Sequence, residues 1–277
     1  MCIRDRAQHI AIALENADLG QQAVEKARLE RSLEIATEIQ SGLMPQAPPE
    51  VDGLDVFGWF RPAEHATGDF YDFVRTRDQR LAVVVGDVTG HGIGPALVTA
   101  TAQSGLRSYV KVLPDPGSVV GMLNEDLSER MDDGMFLTLF LALVHGDGAL
   151  SVVNAGQTPP LIWRAATGTV DVIKGTGPAL GMMPDFDYGT GDSMLLEPGD
   201  ILMALTDGIE EARHPDRADE LFADSGVRRV LEDVGKRGGT ARELCETLVE
   251  QVLAFAGGAC EDDMTVVAVR RLPVAEQ

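Results

Sequence analysis

Carboxylates beside apolar runs are the residues in this sequence most suited to chemistry. Six aspartates recur in four short segments: Asp69 and Asp72 in GDFYDF, Asp87 in VVVGDVTG, Asp207 in LTDG, and Asp262 and Asp263 in EDDMTVV. One such aspartate could simply end a strand in a turn. Because all four segments lie at predicted strand boundaries, we expect them to converge on one edge of a sheet. An all-oxygen site of this kind selects Mg²⁺ or Mn²⁺ over zinc, and two such ions can hold a phosphoryl oxygen and activate water.

Other chemistries fit the residues poorly. The glycine-rich segment GDVTGHGIGPAL has Gly90, Gly92 and Gly94, but Pro95 stands where a dinucleotide loop needs its third glycine, and no G-K-[ST] occurs in the chain. The three cysteines fit no cysteine-phosphatase loop, and the five histidines show no zinc spacing. His91 has two interpretations: a turn residue that hydrogen-bonds the backbone, or a proton donor or loop stabiliser at the acidic site.

Composition narrows the class of protein. The chain has 277 residues, 44% of them hydrophobic, and a formal net charge of −21. This charge argues against binding nucleic acid or an anionic membrane, and it suits divalent cations. Few and widely spaced cysteines favour a reducing compartment. The longest apolar stretch, residues 136–144, is too short to span a bilayer, so we expect a cytoplasmic protein.

The elements that must position the carboxylates begin after a long helix. Residues 7–44 lack proline and carry apolar stripes at helical spacing with a slip of phase, which predicts an amphipathic helix. Its length suggests a coiled-coil seam that makes a homodimer or transmits a signal, although it could pack on its own domain. The segment MPQAPPEVDG (44–53) ends it.

Strands and helices alternate in groups after residue 53. Strands are predicted in LDVFGWFRPA, LAVVVGDV, FLTLFLALVH, ALSVVNAG, PLIWRA, TVDVI, DILMALTDG and MTVVAVRR, and helices at 95–113, 116–131, 224–235 and 240–256. This order is not a regular βαβ repeat. It predicts an α+β fold with mostly antiparallel sheet and helices packed outside.

Six sequence blocks, in order, resemble the bacterial SpoIIE-type (RsbU-like) phosphatases, a branch of the metal-dependent PPM or type 2C serine/threonine phosphatases. They are EIATEIQSGLMPQ, GDFYDF, GDVTGHGIGPAL, NAGQTPPL, LTDGIEEA and EDDMTVV, and the resemblance covers about residues 34–272. It implies a four-layer αββα sandwich with a centre of two Mn²⁺ or Mg²⁺ ions. It also implies a phosphoserine or phosphothreonine substrate on an anti-anti-sigma (STAS) protein, in a partner-switching circuit that controls a sigma factor.

The resemblance assigns roles to individual residues. Asp69, Asp87 and Asp207 correspond to catalytic carboxylates, with Asp87 bridging both metals; no covalent enzyme intermediate is implied. The implied metal ligands are Asp69, Asp87, the Val88 carbonyl, Asp207 and Asp262. The implied supporting residues are Asp72 (a supporting or ligand role), Asp263 (orienting the loop), His91, Gly90 and Gly208.

The sequence departs from the family pattern at two positions. Thr67 replaces one of two glycines before Asp69, and Gln157 stands where N-A-G-H is frequent. Neither change removes an implied ligand, although Gln157 could alter the fit of the substrate.

We divide the chain into a helical segment, 1–44, and a phosphatase domain, 45–277. HIAIALENADL resembles the exit helix of a GAF sensor, so an upstream sensor domain is expected.

Two other functions are compatible with the fold. A catalytically silent scaffold could bind a STAS partner, but it should have lost metal aspartates, and here every expected position is acidic. A metal-dependent hydrolase of a small phosphorylated metabolite would be distinguished by comparing a phosphoprotein with a small aryl phosphate.

Overall fold

The computed structural model describes residues 3–63, 66–90, 92–131 and 134–273. Its helices are α1 (Ile3–Leu43), α2 (Ile93–Tyr109), α3 (Pro116–Ser128), α4 (Asp207–Glu210), α5 (Ala223–Lys236) and α6 (Ala241–Phe255). The strands are β1 (Leu54–Arg61), β2 (Asp69–Arg75), β3 (Leu81–Val88), β4 (Leu137–Val144), β5 (Ala149–Ala155), β6 (Leu161–Arg164), β7 (Thr169–Val172), β8 (Asp192–Leu195), β9 (Ile201–Leu205), β10 (Arg213–His214), β11 (Arg217–Leu221) and β12 (Met264–Arg271).

The strands form two five-stranded antiparallel sheets and one small hairpin. Sheet A has the order β1-β12-β9-β6-β7, and sheet B has the order β2-β3-β4-β5-β8. Strands β10 and β11 pair with each other as the hairpin. The antiparallel pairing follows the prediction from the grouped strands and helices.

Three apolar clusters hold four layers together. One cluster lies between the sheets and includes Val83 and Phe140 of sheet B and Val267 of sheet A. A second packs sheet A against α5 and α6, and a third packs sheet B against α2 and α3. Strand β3 serves two of these clusters because its alternate residues, such as Val83 and Val84, face opposite sides of sheet B. The αββα sandwich predicted from the family resemblance is therefore confirmed.

The long N-terminal helix is also confirmed, as α1. Near its end, α1 reaches the segment that leads into β2. Gln40 is buried; its side-chain amide donates to the Thr67 carbonyl (2.8 Å) and its side-chain oxygen accepts from the Thr67 N–H (3.0 Å). The Thr37 hydroxyl accepts from the Ala66 N–H at 3.0 Å. The end of α1 is thus hydrogen-bonded to the backbone just before Asp69.

Some elements differ from the sequence-based prediction. Strand β2 was not predicted; it begins at Asp69, so Asp72 lies inside a strand and not at its boundary. Strand β8 and the β10–β11 hairpin were also missed, and most of their side chains are exposed. In the described part of the chain, no helix combines the length and the apolar character that a membrane span requires.

Candidate metal centre

Both sheets place aspartates at the same end of the sandwich. In sheet B, Asp69 begins β2 and pairs across the ladder with Asp87, which stands near the end of β3. In sheet A, Asp207 follows the end of β9, and Asp262 and Asp263 immediately precede β12. Antiparallel neighbours run in opposite directions, so one strand's start and its neighbour's end share an edge. Four segments that are distant in sequence therefore meet at one end of the fold.

Asp69 is fixed by hydroxyl groups of the opposite sheet. Its side chain is 2% exposed, and its Oδ2 accepts hydrogen bonds from the Thr206 and Thr265 hydroxyls, each at 2.6 Å. The Thr206 hydroxyl also accepts from the Thr265 N–H at 3.1 Å. Buried carboxylates need such partners. These contacts hold one Asp69 oxygen rigidly and connect the two sheets directly beneath the site.

A cavity of about 420 Å³ opens above this anchor. We call it the carboxylate cavity; it is lined by Ala63, Ala66, Asp87, Gly90, Asp207, Glu261, Asp262 and Asp263. Asp69 stands beside it, because it pairs with Asp87 across the β2–β3 ladder and the charge of Asp87 raises its pKa. The structure thus brings together Asp69, Asp87, Asp207 and Asp262, the four aspartates predicted as ligands.

The crowding of carboxylates raises their pKa values. Burial, reinforced by the charges of Asp207, Asp262 and Asp263, raises the pKa of Asp87 to about 7. Burial and the Asp87 charge raise the pKa of Asp69 well above its ordinary value. Burial and the Asp262 charge raise the pKa of Asp207. Negative charge is therefore costly in this cavity, and a cation would relieve that cost.

Two glycines allow the backbone to close around the cavity. A Cβ atom on Gly68 would stand 2.2 Å from the Val88 carbonyl oxygen and 2.9 Å from Asp87 Oδ1. A Cβ atom on Gly208 would stand 2.1 Å from the Asp263 carbonyl oxygen. A side chain at either position would displace backbone that forms the site. Gly90, which lines the cavity, has a φ of +92°, a conformation that favours glycine.

Asp263 contacts the loop on the other side of the cavity. Its Oδ1 accepts from the Ala63 N–H at 2.9 Å, and its own N–H donates to Asp262 Oδ1 at 2.8 Å. Burial raises its pKa, while the hydrogen bond from Ala63 opposes the shift. These contacts are of the kind expected of a residue that orients a loop.

Asp72 lies away from the cavity. It stands three positions from Asp69 on β2, so it faces the opposite side of sheet B, towards α2. Its two oxygens accept from Arg107 Nε (2.6 Å) and Nη2 (2.8 Å), and its side chain is fully buried. The bidentate pair joins α2 to β2, a position that suits the supporting role predicted for Asp72 better than the ligand role.

The structure says less about two other residues that the sequence singled out, His91 and Gln157. His91 lies outside the described residues. Gln157 is 6% exposed, and its side-chain oxygen accepts from the neighbouring Thr158 N–H at 2.8 Å. The Asn154 side chain closes the same turn through both the N–H and the carbonyl of Gln157. Gln157 is therefore built into its own turn.

Three contributors to the site were not singled out from the sequence. Thr206 and Thr265 stand inside the blocks LTDG and DDMTVV, so their positions were visible, but their contact with Asp69 depends on the packing of the sheets. Glu261 lines the cavity from the residue before Asp262. In the sequence, only its position next to Asp262 indicated that Glu261 could belong to the site.

The donor set fits a hard divalent cation. Carboxylate oxygens from both sheets surround one cavity, and the Val88 carbonyl lies against Gly68 beside Asp87. Among the described residues, no three histidine, cysteine, aspartate or glutamate side chains are already gathered closely enough to hold an ion. The chemistry of the donors thus fits Mg²⁺ or Mn²⁺.

Comparison with known proteins identifies the family. The family description Stage II sporulation protein E (SpoIIE) matches residues 77–272. Protein IcfG of Synechocystis sp. is 31% identical over 268 residues, which cover 86% of this chain and 41% of IcfG. Phosphoserine phosphatase RsbU of Bacillus subtilis is 25% identical over 244 residues, which cover 88% of this chain and 71% of RsbU. The chain therefore spans about two fifths of the length of IcfG and about 71% of RsbU.

Solved structures share the fold. The SiaA-PP2C domain of Pseudomonas aeruginosa aligns with a TM-score of 0.76 at 22% identity, covering 90% of this chain and 99% of that domain. A structure of RsbX in complex with magnesium aligns with a TM-score of 0.60 at 16% identity, covering 80% of this chain and 98% of RsbX. The family match covers well over half of the sequence, and the chain therefore belongs to the SpoIIE family.

Proposed function

We propose that this chain is a metal-dependent protein phosphatase that hydrolyses phosphoserine or phosphothreonine on an anti-anti-sigma (STAS) type protein. The carboxylate cavity is the observation that carries the proposal, because it collects aspartates from both sheets around one space. The phosphoserine phosphatase RsbU is a relative with a related sequence over most of this chain. By this analogy the product would act in partner switching that controls a sigma factor.

Five residues would hold the cations: Asp69, Asp87, the carbonyl of Val88, Asp207 and Asp262. When bound, Mn²⁺ or Mg²⁺ ions, two by analogy with the family, supply Lewis acidity and an activated water. By the family resemblance, Asp87 would be the carboxylate shared by both ions; it lines the carboxylate cavity together with Asp207 and Asp262. Asp69 has one oxygen committed to Thr206 and Thr265, which leaves its other oxygen available as a ligand.

The protein's own groups then orient the reaction. Water oxygen bonds to phosphorus, the bond from phosphorus to the serine oxygen breaks, and the serine oxygen takes up a proton. Gly68 and Gly208 let the backbone at Val88 and Asp263 pack closely around the cavity. Among the described residues that line the carboxylate cavity, none is a cysteine or a serine.

We also propose that α1 pairs with α1 of a second copy and transmits a signal from an upstream GAF-type sensor. Among its described side chains, Leu19, Val24 and Ile39 are 57%, 56% and 59% exposed, and pairing would cover apolar surface of this kind. The hydrogen bonds from Thr37 and Gln40 to Ala66 and Thr67 offer a physical route to Asp69. In this view the 1–44 segment regulates the 45–277 domain.

The pairing has a direct test. Residues 1–40 would be deleted, and molar mass by light scattering and phosphatase rate would be measured on the same preparation. We expect the dimer to be lost and the rate to change. An unchanged dimer with an unchanged rate would contradict the role of α1.

The phosphatase activity is tested with a phosphoserine STAS protein and Mn²⁺. Phosphate release would be compared between the wild type and Asp87→Asn, with a small aryl phosphate as a second substrate. We expect Asp87→Asn to lose at least roughly a hundredfold in rate. A mutant as active as the wild type would refute the site assignment, and hydrolysis of the aryl phosphate without the phosphoprotein would indicate a metabolite hydrolase.

A further inference from the structure

A second, smaller cavity opens beside the carboxylate cavity. It has a volume of about 200 Å³, and we call it the flanking pocket; it is lined by Gly208, Glu211, Ala212, Arg213, Ala256, Ala259, Glu261, Asp262 and Met264. Glu261 and Asp262 line both cavities, so these two residues form the boundary between them. A peptide whose phosphorylated side chain enters the carboxylate cavity would therefore place a neighbouring side chain over the flanking pocket, because residues in an extended chain advance about 3.3 Å each.

The floor and the rim of the flanking pocket differ in chemistry. Ala212, Ala256 and Met264 are all at least 90% buried and give an apolar floor. The charged lining residues are Glu211, Arg213, Glu261 and Asp262. A side chain with an apolar stem and a polar head would satisfy both surfaces at once, as lysine and arginine do at protein surfaces.

The charge of the rim selects the head group. Arg213 Nε lies 3.6 Å from Glu261 Oε2, and the two side chains are 48% and 66% exposed. An exposed pair at that distance contributes little and opens readily. With Asp262 committed to the cation site, Glu211 and Glu261 against the one guanidinium of Arg213 still leave the lining net negative. A carboxylate entering this pocket would meet two like charges, whereas an ammonium or guanidinium group would be attracted.

We infer that the flanking pocket binds a basic side chain of the substrate that lies next to the phosphorylated residue. This inference rests on the proposed phosphatase function and deepens it by naming a specificity site. The aliphatic stem would pack on Ala212 and Met264, and the cationic head would lie between Glu211 and Glu261. Together the two cavities would bind a phosphorylated side chain and an adjacent basic side chain. The net charge of −21 would favour the approach of such a basic segment.

The test uses matched phosphoserine heptapeptides with Mn²⁺. The peptides carry lysine, alanine or glutamate at each position within two residues of the phosphoserine and are otherwise identical. We expect kcat/KM for the best lysine peptide to exceed that of its alanine match about fivefold, with the glutamate peptide lowest. Glu211→Gln removes a negative charge from the pocket, and Ala259→Leu fills it. Each variant should bring the lysine-to-alanine ratio of kcat/KM close to one. Glu250→Gln, an exposed change of the same charge on α6, should leave the ratio at about five.

The results distinguish failure of the flanking pocket as a specificity site from failure of the proposed phosphatase function. Hydrolysis of all peptides at equal kcat/KM, or a preference for glutamate, would overturn the flanking pocket and leave the phosphatase function standing. A lysine preference that survives both pocket variants would also overturn it. Failure to hydrolyse any peptide, together with failure on the phosphoserine STAS protein, would contradict the phosphatase function and the inference with it.

Discussion

Replacing Asp87 by asparagine should stabilise the metal-free protein while removing its response to Mn²⁺. Burial and three neighbouring aspartates raise the pKa of Asp87 from its ordinary value of 3.8 to about 7. A group whose pKa is raised by folding binds its proton more tightly in the native state. Its stabilising contribution is therefore present below pH 4 and is lost as the pH rises from about 4 to 7.

The size of this effect follows from the pKa. A change from 3.8 to about 7 corresponds to about 4 kcal/mol of lost stability above pH 7, and to less than half of that at pH 5. Asparagine has nearly the same shape and carries no charge, but its amide does not reproduce all the polar contacts of the carboxyl group, at a cost of about 1 kcal/mol. We therefore expect a net gain of about 1–3 kcal/mol at pH 8 and almost none at pH 5.

Urea unfolding at the two pH values measures this gain. Each protein would be unfolded in the presence of a chelator and again with Mn²⁺, and Asp185→Asn, at an exposed turn position, would control for loss of one negative charge. Mn²⁺ should stabilise the wild type and the control much more than Asp87→Asn. The reasoning is refuted if Asp87→Asn is less stable than the wild type at pH 8 without metal, or if Mn²⁺ stabilises both equally.

Three further substitutions test the contacts around the site. Arg107→Ala leaves the buried Asp72 carboxylate without its partner, and we expect a loss of roughly 3 kcal/mol in urea unfolding, which Arg107→Lys should partly restore; an unchanged midpoint would contradict this. Gln40→Leu removes both hydrogen bonds to the segment before β2. We expect the free energy of unfolding to fall by about 1–3 kcal/mol and the phosphatase rate to fall as well. A rate equal to that of the wild type would show that this contact of α1 does not influence the site. Gly68→Ala should abolish activity because its Cβ would collide with backbone at the cavity. Gly121→Ala, with open space around it, should retain full activity. Equal activities of the two variants would contradict the close contact between Gly68 and the Val88 carbonyl.

The fold was predictable where apolar runs are long and continuous. Strand β3 has the predicted bounds, 81–88, because every residue from Leu81 to Val85 is apolar and buried. Strand β2 was missed because its residues alternate between acidic and aromatic types and follow a glycine. The β10–β11 hairpin is short and exposed, so it lacks the buried face that gives a strand its periodic signal.

The site was predictable as a set of aspartates but not as an arrangement. Recurrence at strand boundaries identified Asp69, Asp87 and Asp207, which the structure brings to one end of the sandwich. The contacts of Asp69 with Thr206 and Thr265 join residues 137 and 196 positions apart, which no local pattern reveals. The position of the flanking pocket depends in the same way on how the segment after β9 packs against the segment before β12.

Anomalous diffraction from crystals grown with Mn²⁺ tests the central claim most directly, because it locates the ions without reference to activity. The account predicts Mn²⁺ in the carboxylate cavity, coordinated by Asp87 and by at least one aspartate from sheet A, either Asp207 or Asp262. It also predicts that Asp87→Asn crystals grown in the same way show this density lost or greatly reduced. Mn²⁺ bound elsewhere, with the cavity free of anomalous density in the wild type, would contradict the account.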